Sequence, residues 1–441
     1  MTIISPTCVH DVLARYMQIC GYDVVMDLER SKGAYLYDAK DNREYLDFFS
    51  MFASAPVGHN HPALFESNYL KKLQRAAINN VTNSDFYTVE MAEFVSEFFK
   101  KVVVEKHFKY TFFVAGGALG VENAIKAAMD WKVRKNFEKG YKEEKGHKIL
   151  HFKEAFHGRS GYTLSLTNTA DPRKYKYFAK FDWPRVTNPK IKFPLEGDNL
   201  KQVIELEEQS KKEIKEAFER YNDDIAAIIL EPIQGEGGDN HFRGEFLRWL
   251  QDFCRENEAL FILDEVQTGM GMTGLWWAYE HFDIEPDCVA FGKKVQVCGF
   301  LCGPRIDEVK DNVFHEGSRL NSTWGGNLVD MVRCLKYIEI IENENLIEES
   351  AKQGQYLLNQ LLDLQKNYSD KLFNTRGKGL MCAFDLDTPQ MRDKFINTAY
   401  KNGMIILGCG NKSIRFRPAL NISRKDLDKG LDIIDKTLKE L

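Results

Sequence analysis

Five short apolar runs, separated by longer helical stretches, constrain this chain more than any other feature. They are YTFFVAG (Tyr110 to Gly116), KILHF (Lys148 to Phe152), AAIILEPI (Ala226 to Ile233), LFILDEV (Leu260 to Val266) and CVAFG (Cys288 to Gly292). Helical periodicity fills Val89 to Val103 and Val121 to Asn136. Unbroken apolar strands alternating with helices predict an α/β fold, a mostly parallel sheet covered on both faces. Gly33 to Ser50 reads as a hairpin turning at Asp41-Asn42, and Gly140 to Lys148 as a surface loop. Leu200 to Tyr221 reads as a helix whose apolar stripe is Leu200, Val203, Ile204, Ile214 and Phe218, with its charges as a solvated face. After Met331 a helical stretch leads to GLMCAFDL, MIIL and SIRFRPAL and a last helix from Arg424, an α+β pattern.

Composition excludes several classes. A net charge of -5, with 28% charged residues, gives no basic footprint for nucleic acid or an anionic membrane. The nine cysteines form no CxxC pair, which argues against a zinc site or a disulfide frame and for reduced thiols in the cytoplasm. Residues 1–30 carry charges throughout and do not read as a secretory signal, and no run is long enough to span a bilayer.

Chemistry gathers where the strands end. One run closes on Asp264 and Glu265, and the next is followed by Lys293 and Lys294. A carboxylate and an amine at neighbouring strand ends suit pyridoxal phosphate, which needs a lysine for its aldehyde and an acid opposite its ring nitrogen. A structural ion pair is the competing reading. The strand-turn-helix Phe112 to Ala128 contains Gly116, Gly117 and Ala118, where free amides and the helix dipole would favour an anion. It matches neither GxGxxG nor the P-loop pattern. In EAFHGRSG, Phe156 suits stacking on a planar ring, His157 would pack beside it, and Arg159 could clamp a carboxylate. Glu231 closes a strand before the glycine-rich turn that carries Glu236, and NSTWGGN offers the Thr323 hydroxyl. Arg415 and Arg417 read as lying on opposite strand faces, so that one of them points into the site.

Taken in order, GGALGVENA, FHGRSG, EPIQGEGG, LDEVQTG, FGKK, STWGGN and IRFRP resemble the class III aminotransferases, pyridoxal-phosphate enzymes of fold type I. The resemblance implies a large domain with a mostly parallel seven-stranded sheet and a smaller α+β domain built from both chain ends. The expected boundaries are 1–59, 60–328 and 329–441, the first and last segments forming the small domain. It assigns the cofactor bond to Lys293, the lysine that follows small Gly292, and the ring nitrogen to Asp264. Gln267 would sit near the ring hydroxyl, Phe156 on the ring and His157 beside it. Gly117 and Ala118 would bind the phosphate, with Thr323 coming from the partner of a homodimer whose active sites are shared. GGALGVENAIKAAMDWK, FHGRSGYTLSLTN and NSTWGGNLVDMVR point, within the class, to enzymes that move the ε-amino group of L-lysine to 2-oxoglutarate. FDWPRV and GCGNKSIRFRP keep 4-aminobutyrate, and ornithine beside it, as alternative donors. Arg159 would hold the distant substrate carboxylate and Arg415 the one beside the reacting carbon, with Glu236 covering Arg415 when lysine is bound.

Overall fold

The structure, a computed structural model, describes residues 4–104 and 106–441. The first hairpin pairs β1 (Tyr35–Asp38) with β2 (Arg43–Asp47), and Asn42 takes the left-handed conformation its tight turn requires (φ 52°). The main sheet draws on β3 (Tyr110–Val114), β4 (Lys148–Phe152), β5 (Arg185–Val186) and β6 (Ile225–Leu230). A two-stranded ribbon of β7 (Ile233–Gln234) and β8 (Asn240–His241) follows. Then β9 (Leu260–Asp264), β10 (Cys288–Phe291) and β11 (Cys298–Cys302) complete the main sheet.

Its seven strands run in the order β3-β11-β10-β9-β6-β4-β5. Only β11 breaks the parallel arrangement, pairing antiparallel with both β10 and β3. Every residue of β6, β9, β10 and β11 is buried, which is why these runs carry no polar alternation. The helix Gly117–Glu138 packs along β11, β10 and β6 on one face. On the other face Phe94 and Phe98 of the helix Val89–Lys101 meet Phe113 and Phe291, with ring centroids 5.4 Å apart for Phe94–Phe113 and 5.5 Å for Phe98–Phe291. Each buried ring contributes about 1.5–3 kcal/mol.

The C-terminal third forms a four-stranded antiparallel sheet from β12 (Phe373–Lys378), β13 (Met381–Asp385), β15 (Leu407–Cys409) and β16 (Ser413–Phe416), in the order β12-β13-β16-β15. Between them β14 (Met404–Ile405) leaves that sheet and pairs parallel with β2, so the chain end completes the N-terminal hairpin's sheet. The last helix is Arg424–Lys439. The helix Gly197–Arg220 differs from its expected amphipathic pattern in two places. Ile204 stays 40% exposed, whereas Glu207 is buried because it pairs with Arg243 at 3.1 Å. Among the described residues no helix is long and apolar enough to cross a membrane.

Candidate active site

The site lies beyond the carboxyl ends of the parallel strands, where α/β sheets place ligands. β9 and β10 run parallel with Asp264 beside Ala290. Asp264 therefore closes one strand, and the neighbouring chain continues through Gly292 to Lys293. A methyl group on Gly292 would come within 2.9 Å of Cys298 Sγ, so a small residue is needed before the lysine. Lys293 itself adopts a left-handed backbone (φ 48°), a conformation that costs about 1–3 kcal/mol and that surrounding structure must hold. Asp264, Lys293, Gly117, Ala118, Phe156 and His157 line one cavity, together with Gln267 and Glu236.

The two lysines are separated by their partners. Lys294 is 1% exposed, and its ammonium donates to the carbonyls of Gln267 (2.7 Å) and Ala53 (3.3 Å). Burial, with the charge of Lys293 adding to it, pulls the Lys294 ammonium well below its usual value. Only Lys293 lines the cavity. Burial pulls its ammonium down to about 8; Arg415 and Arg417 add to that, and Asp264 and Glu231 oppose it.

Asp264 is fixed from two sides. Its Oδ2 lies 2.8 Å from His157 Nδ1, and its Oδ1 accepts the Val266 N–H at 3.0 Å. His157 thus orients the acid. The turn before the helix Gly117–Glu138 passes through Gly116 at φ 106°, open only to glycine in practice. A Cβ on Gly117 would meet Val266 Cγ1 at 2.8 Å, and one on Gly158 would meet Ala118 Cβ at 2.5 Å. The amides of Gly117 and Ala118, in the helix's first turn, have no intrahelical acceptor.

The two arginines of β16 and its extension differ from the sequence expectation. Residues two apart in an extended chain share a face, and both guanidiniums approach the site. Arg415, 3% exposed, meets Glu236 Oε2 at 2.8 Å, while its Nε and Nη1 are buried without a partner among the described residues. Arg417, 1% exposed, forms a two-pronged pair with Asp239 (2.9 and 2.5 Å) and donates from Nε to Gln267 Oε1 at 2.9 Å. Burial works against the charged form of Glu236, but Arg415 and then Lys174 outweigh it and hold the carboxyl below its usual range.

Arg159 and Thr323 are not brought into this cavity by one chain. Both are exposed, and Arg159 makes no ion pair among the described residues. Two lining or contacting groups had no role assigned from sequence. Glu231, at the end of β6, accepts the Phe156 N–H (2.9 Å) and the Gly235 N–H (3.0 Å), tying the ring-facing segment to the Glu236 turn. Burial pushes its carboxyl up to about 7, and Asp264 adds to that. Its place at a strand end was the available signal. Lys174, which pairs with Glu236, ends the short 3-10 turn Pro172–Lys174, and no motif marks it.

These residues fit pyridoxal phosphate: open amides at a helix start for an anion, a lowered lysine, and an anchored carboxylate facing the same cavity. Residues 18–438 match the profile of the family described as "Aminotransferase class-III". The chain belongs to the class III aminotransferases, and its cofactor is pyridoxal 5'-phosphate. It is 47% identical over 435 residues to the L-lysine-epsilon aminotransferase of Mycobacterium tuberculosis, covering 98% of this chain and 96% of that one. The solved structure of lysine aminotransferase from M. tuberculosis in the internal aldimine form superposes with a TM-score of 0.96 at 46% identity, covering 99% of this chain and all of the other (100%). The mitochondrial 4-aminobutyrate aminotransferase of Homo sapiens stands further off, at 33% identity over 416 residues, 89% of this chain and 80% of its own.

Proposed function

We propose that this enzyme is an L-lysine 6-aminotransferase. It moves the ε-amino group of L-lysine to 2-oxoglutarate, giving 2-aminoadipate 6-semialdehyde and L-glutamate in two alternating half-reactions. L-Lysine as the donor is supported by the 47% identity to the L-lysine-epsilon aminotransferase against 33% to the 4-aminobutyrate enzyme. The exchange of an ω-amine for 2-oxoglutarate is supported by the ion pair of Arg415 with the cavity-lining Glu236, two Arg415 nitrogens being buried and unpartnered among the described residues. Such an arginine is a receptor for a carboxylate that can be covered.

Pyridoxal phosphate supplies the electron sink that makes a C–H bond beside nitrogen acidic. The chain does the rest. Lys293 holds the cofactor and, once its amine is free, takes a proton from the carbon bearing the substrate nitrogen. Its lowered ammonium makes the neutral base available near neutral pH. Asp264, fixed by His157, would face the ring nitrogen and favour its protonated form. Phe156 offers a flat face, and Gly117 and Ala118 offer amides to the phosphate. Gln267, which lines the same cavity, would read the ring hydroxyl.

Two unlike substrates use one wall. Lysine presents an aliphatic chain to Arg415, and Glu236 keeps that guanidinium paired. 2-Oxoglutarate presents a carboxylate, and Glu236 gives way. An unpaired buried cation would cost about 3–5 kcal/mol. Arg159 would take the far carboxylate in either case.

We place the active site in a homodimer. Asn83 N donates to Trp324 O at 3.1 Å and Ser84 Oγ to Ser322 O at 2.7 Å, so the 83–89 segment packs on the Thr323 loop. Phe86, Tyr87 and Val89 there are 71%, 79% and 71% exposed, an apolar surface that a second copy would cover. Thr323 would then serve the partner's phosphate. Segments 1–59 and 329–441 would make one small domain, as the pairing of β14 with β2 supports. All nine cysteines are unpaired, which suits the cytoplasm. Incubation with L-lysine and 2-oxoglutarate tests the activity: one glutamate should form per aldehyde. Aldehyde without matching glutamate would refute amino transfer.

A further inference from the structure

Glu236 is held by two cations, one on each oxygen. Arg415 takes Oε2 at 2.8 Å, and Lys174 pairs with Oε1. The Lys174 ammonium also stands 5.9 Å from the centre of the Phe156 ring. It is placed there by the short turn Pro172–Lys174, whose preceding Asp171 side chain accepts the Arg173 N–H at 3.1 Å. The side chains of Lys174 and Glu236 are 23% and 21% exposed, so the pair is only partly screened.

This arrangement bears on how Glu236 moves. A carboxylate that leaves Arg415 needs another positive partner, or it carries an unpaired charge through a half-buried site. Lys174 already touches the other oxygen. Rotation of the glutamate away from Arg415 therefore keeps one ion pair while the other is exchanged for substrate. We propose that Lys174 is a positioning residue that retains Glu236 when a dicarboxylate substrate claims Arg415, and so favours the 2-oxoglutarate half-reaction. The proposal rests on the reading of Glu236 as a movable cover. Lys174 itself need not touch substrate or cofactor.

The two half-reactions should be measured separately by stopped flow in Lys174→Met, Lys174→Gln and Lys174→Arg holoenzymes, with the Kd of unreactive glutarate measured alongside. In the Met and Gln variants kcat/KM for 2-oxoglutarate should fall about tenfold more than kcat/KM for L-lysine, the scale of one charge-assisted hydrogen bond. Glutarate should weaken in parallel, and the Arg variant should restore both. Equal losses in the two half-reactions, or an unmoved ratio, would overturn the role. Glu236→Ala separates the two ideas. If it leaves the lysine half-reaction intact, the cover itself is wrong. If it impairs that half-reaction while the Lys174 variants leave the ratio unmoved, only the Lys174 role falls. In a Glu236→Ala background Lys174→Met should not shift the ratio further; an undiminished shift there would also overturn it.

Discussion

At the scale of single residues, hydrogen bonds and ion pairs fix most charges of the site: Asp264 is held by His157 and Val266, Glu236 by Arg415 and Lys174, and Arg417 by Asp239 and Gln267. Burial lowers the Lys293 ammonium to about 8, and no hydrogen bond fixes it among the described residues. A base works only when neutral, so proton abstraction from lysine should rise with pH through about 8 and level off above it. Arg415 is one of the charges holding that value down, so Arg415→Met should move the limb to higher pH, readable in a stopped-flow pH profile. Lys293→Ala should abolish turnover and the visible absorbance of lysine-bound cofactor. Glu236→Ala should slow the lysine half-reaction about tenfold or more, because Arg415 then faces an aliphatic chain unpaired. A single-turnover assay reads this directly; an unchanged rate would remove the cover from the mechanism.

At the scale of elements, the strand ends explain both what sequence made plain and what it hid. β4 was delimited to the residue and β9 and β10 closely, because buried parallel strands read as unbroken apolar runs. β11 was not marked. Its CGFLC sequence contains Gly299, which interrupts a strand pattern; the structure needs that glycine because a Cβ would come within 2.1 Å of Phe112 O. That Asp264, Lys293 and Phe156 line one cavity was legible because Asp264 and Lys293 stand at or just past strand ends and Phe156 follows β4 within its motif. The Arg415 and Arg417 placement was misread at the level of strand period, and Lys174 lies on a loop whose course only tertiary packing decides. The same close packing gives a prediction. A Cβ on Gly120 would come within 2.6 Å of Gly299 O, so Gly120→Ala should push the helix start off β11. Stability should fall by about 1–3 kcal/mol, and cofactor affinity should fall with it, measurable by thermal melts and by fluorescence titration with pyridoxal phosphate.

At the scale of the whole molecule, one cavity would serve two substrates, and an apolar face lies at the Thr323 loop. Phe86, Tyr87 and the half-exposed Trp324 sit together near the Thr323 loop. If this face is the dimer contact, Tyr87→Lys with Phe86→Lys should shift sedimentation toward monomer and lower cofactor occupancy together. A stable, fully loaded monomer would contradict shared sites. The choice of L-lysine among the ω-amine donors is the central claim. The direct measurement is a half-reaction series with L-lysine, L-ornithine and 4-aminobutyrate, following loss of the visible absorbance of the lysine-bound cofactor. L-Lysine should give the highest kcat/KM, with the ε-amino nitrogen appearing in glutamate on addition of 2-oxoglutarate. A higher kcat/KM for 4-aminobutyrate would contradict the account.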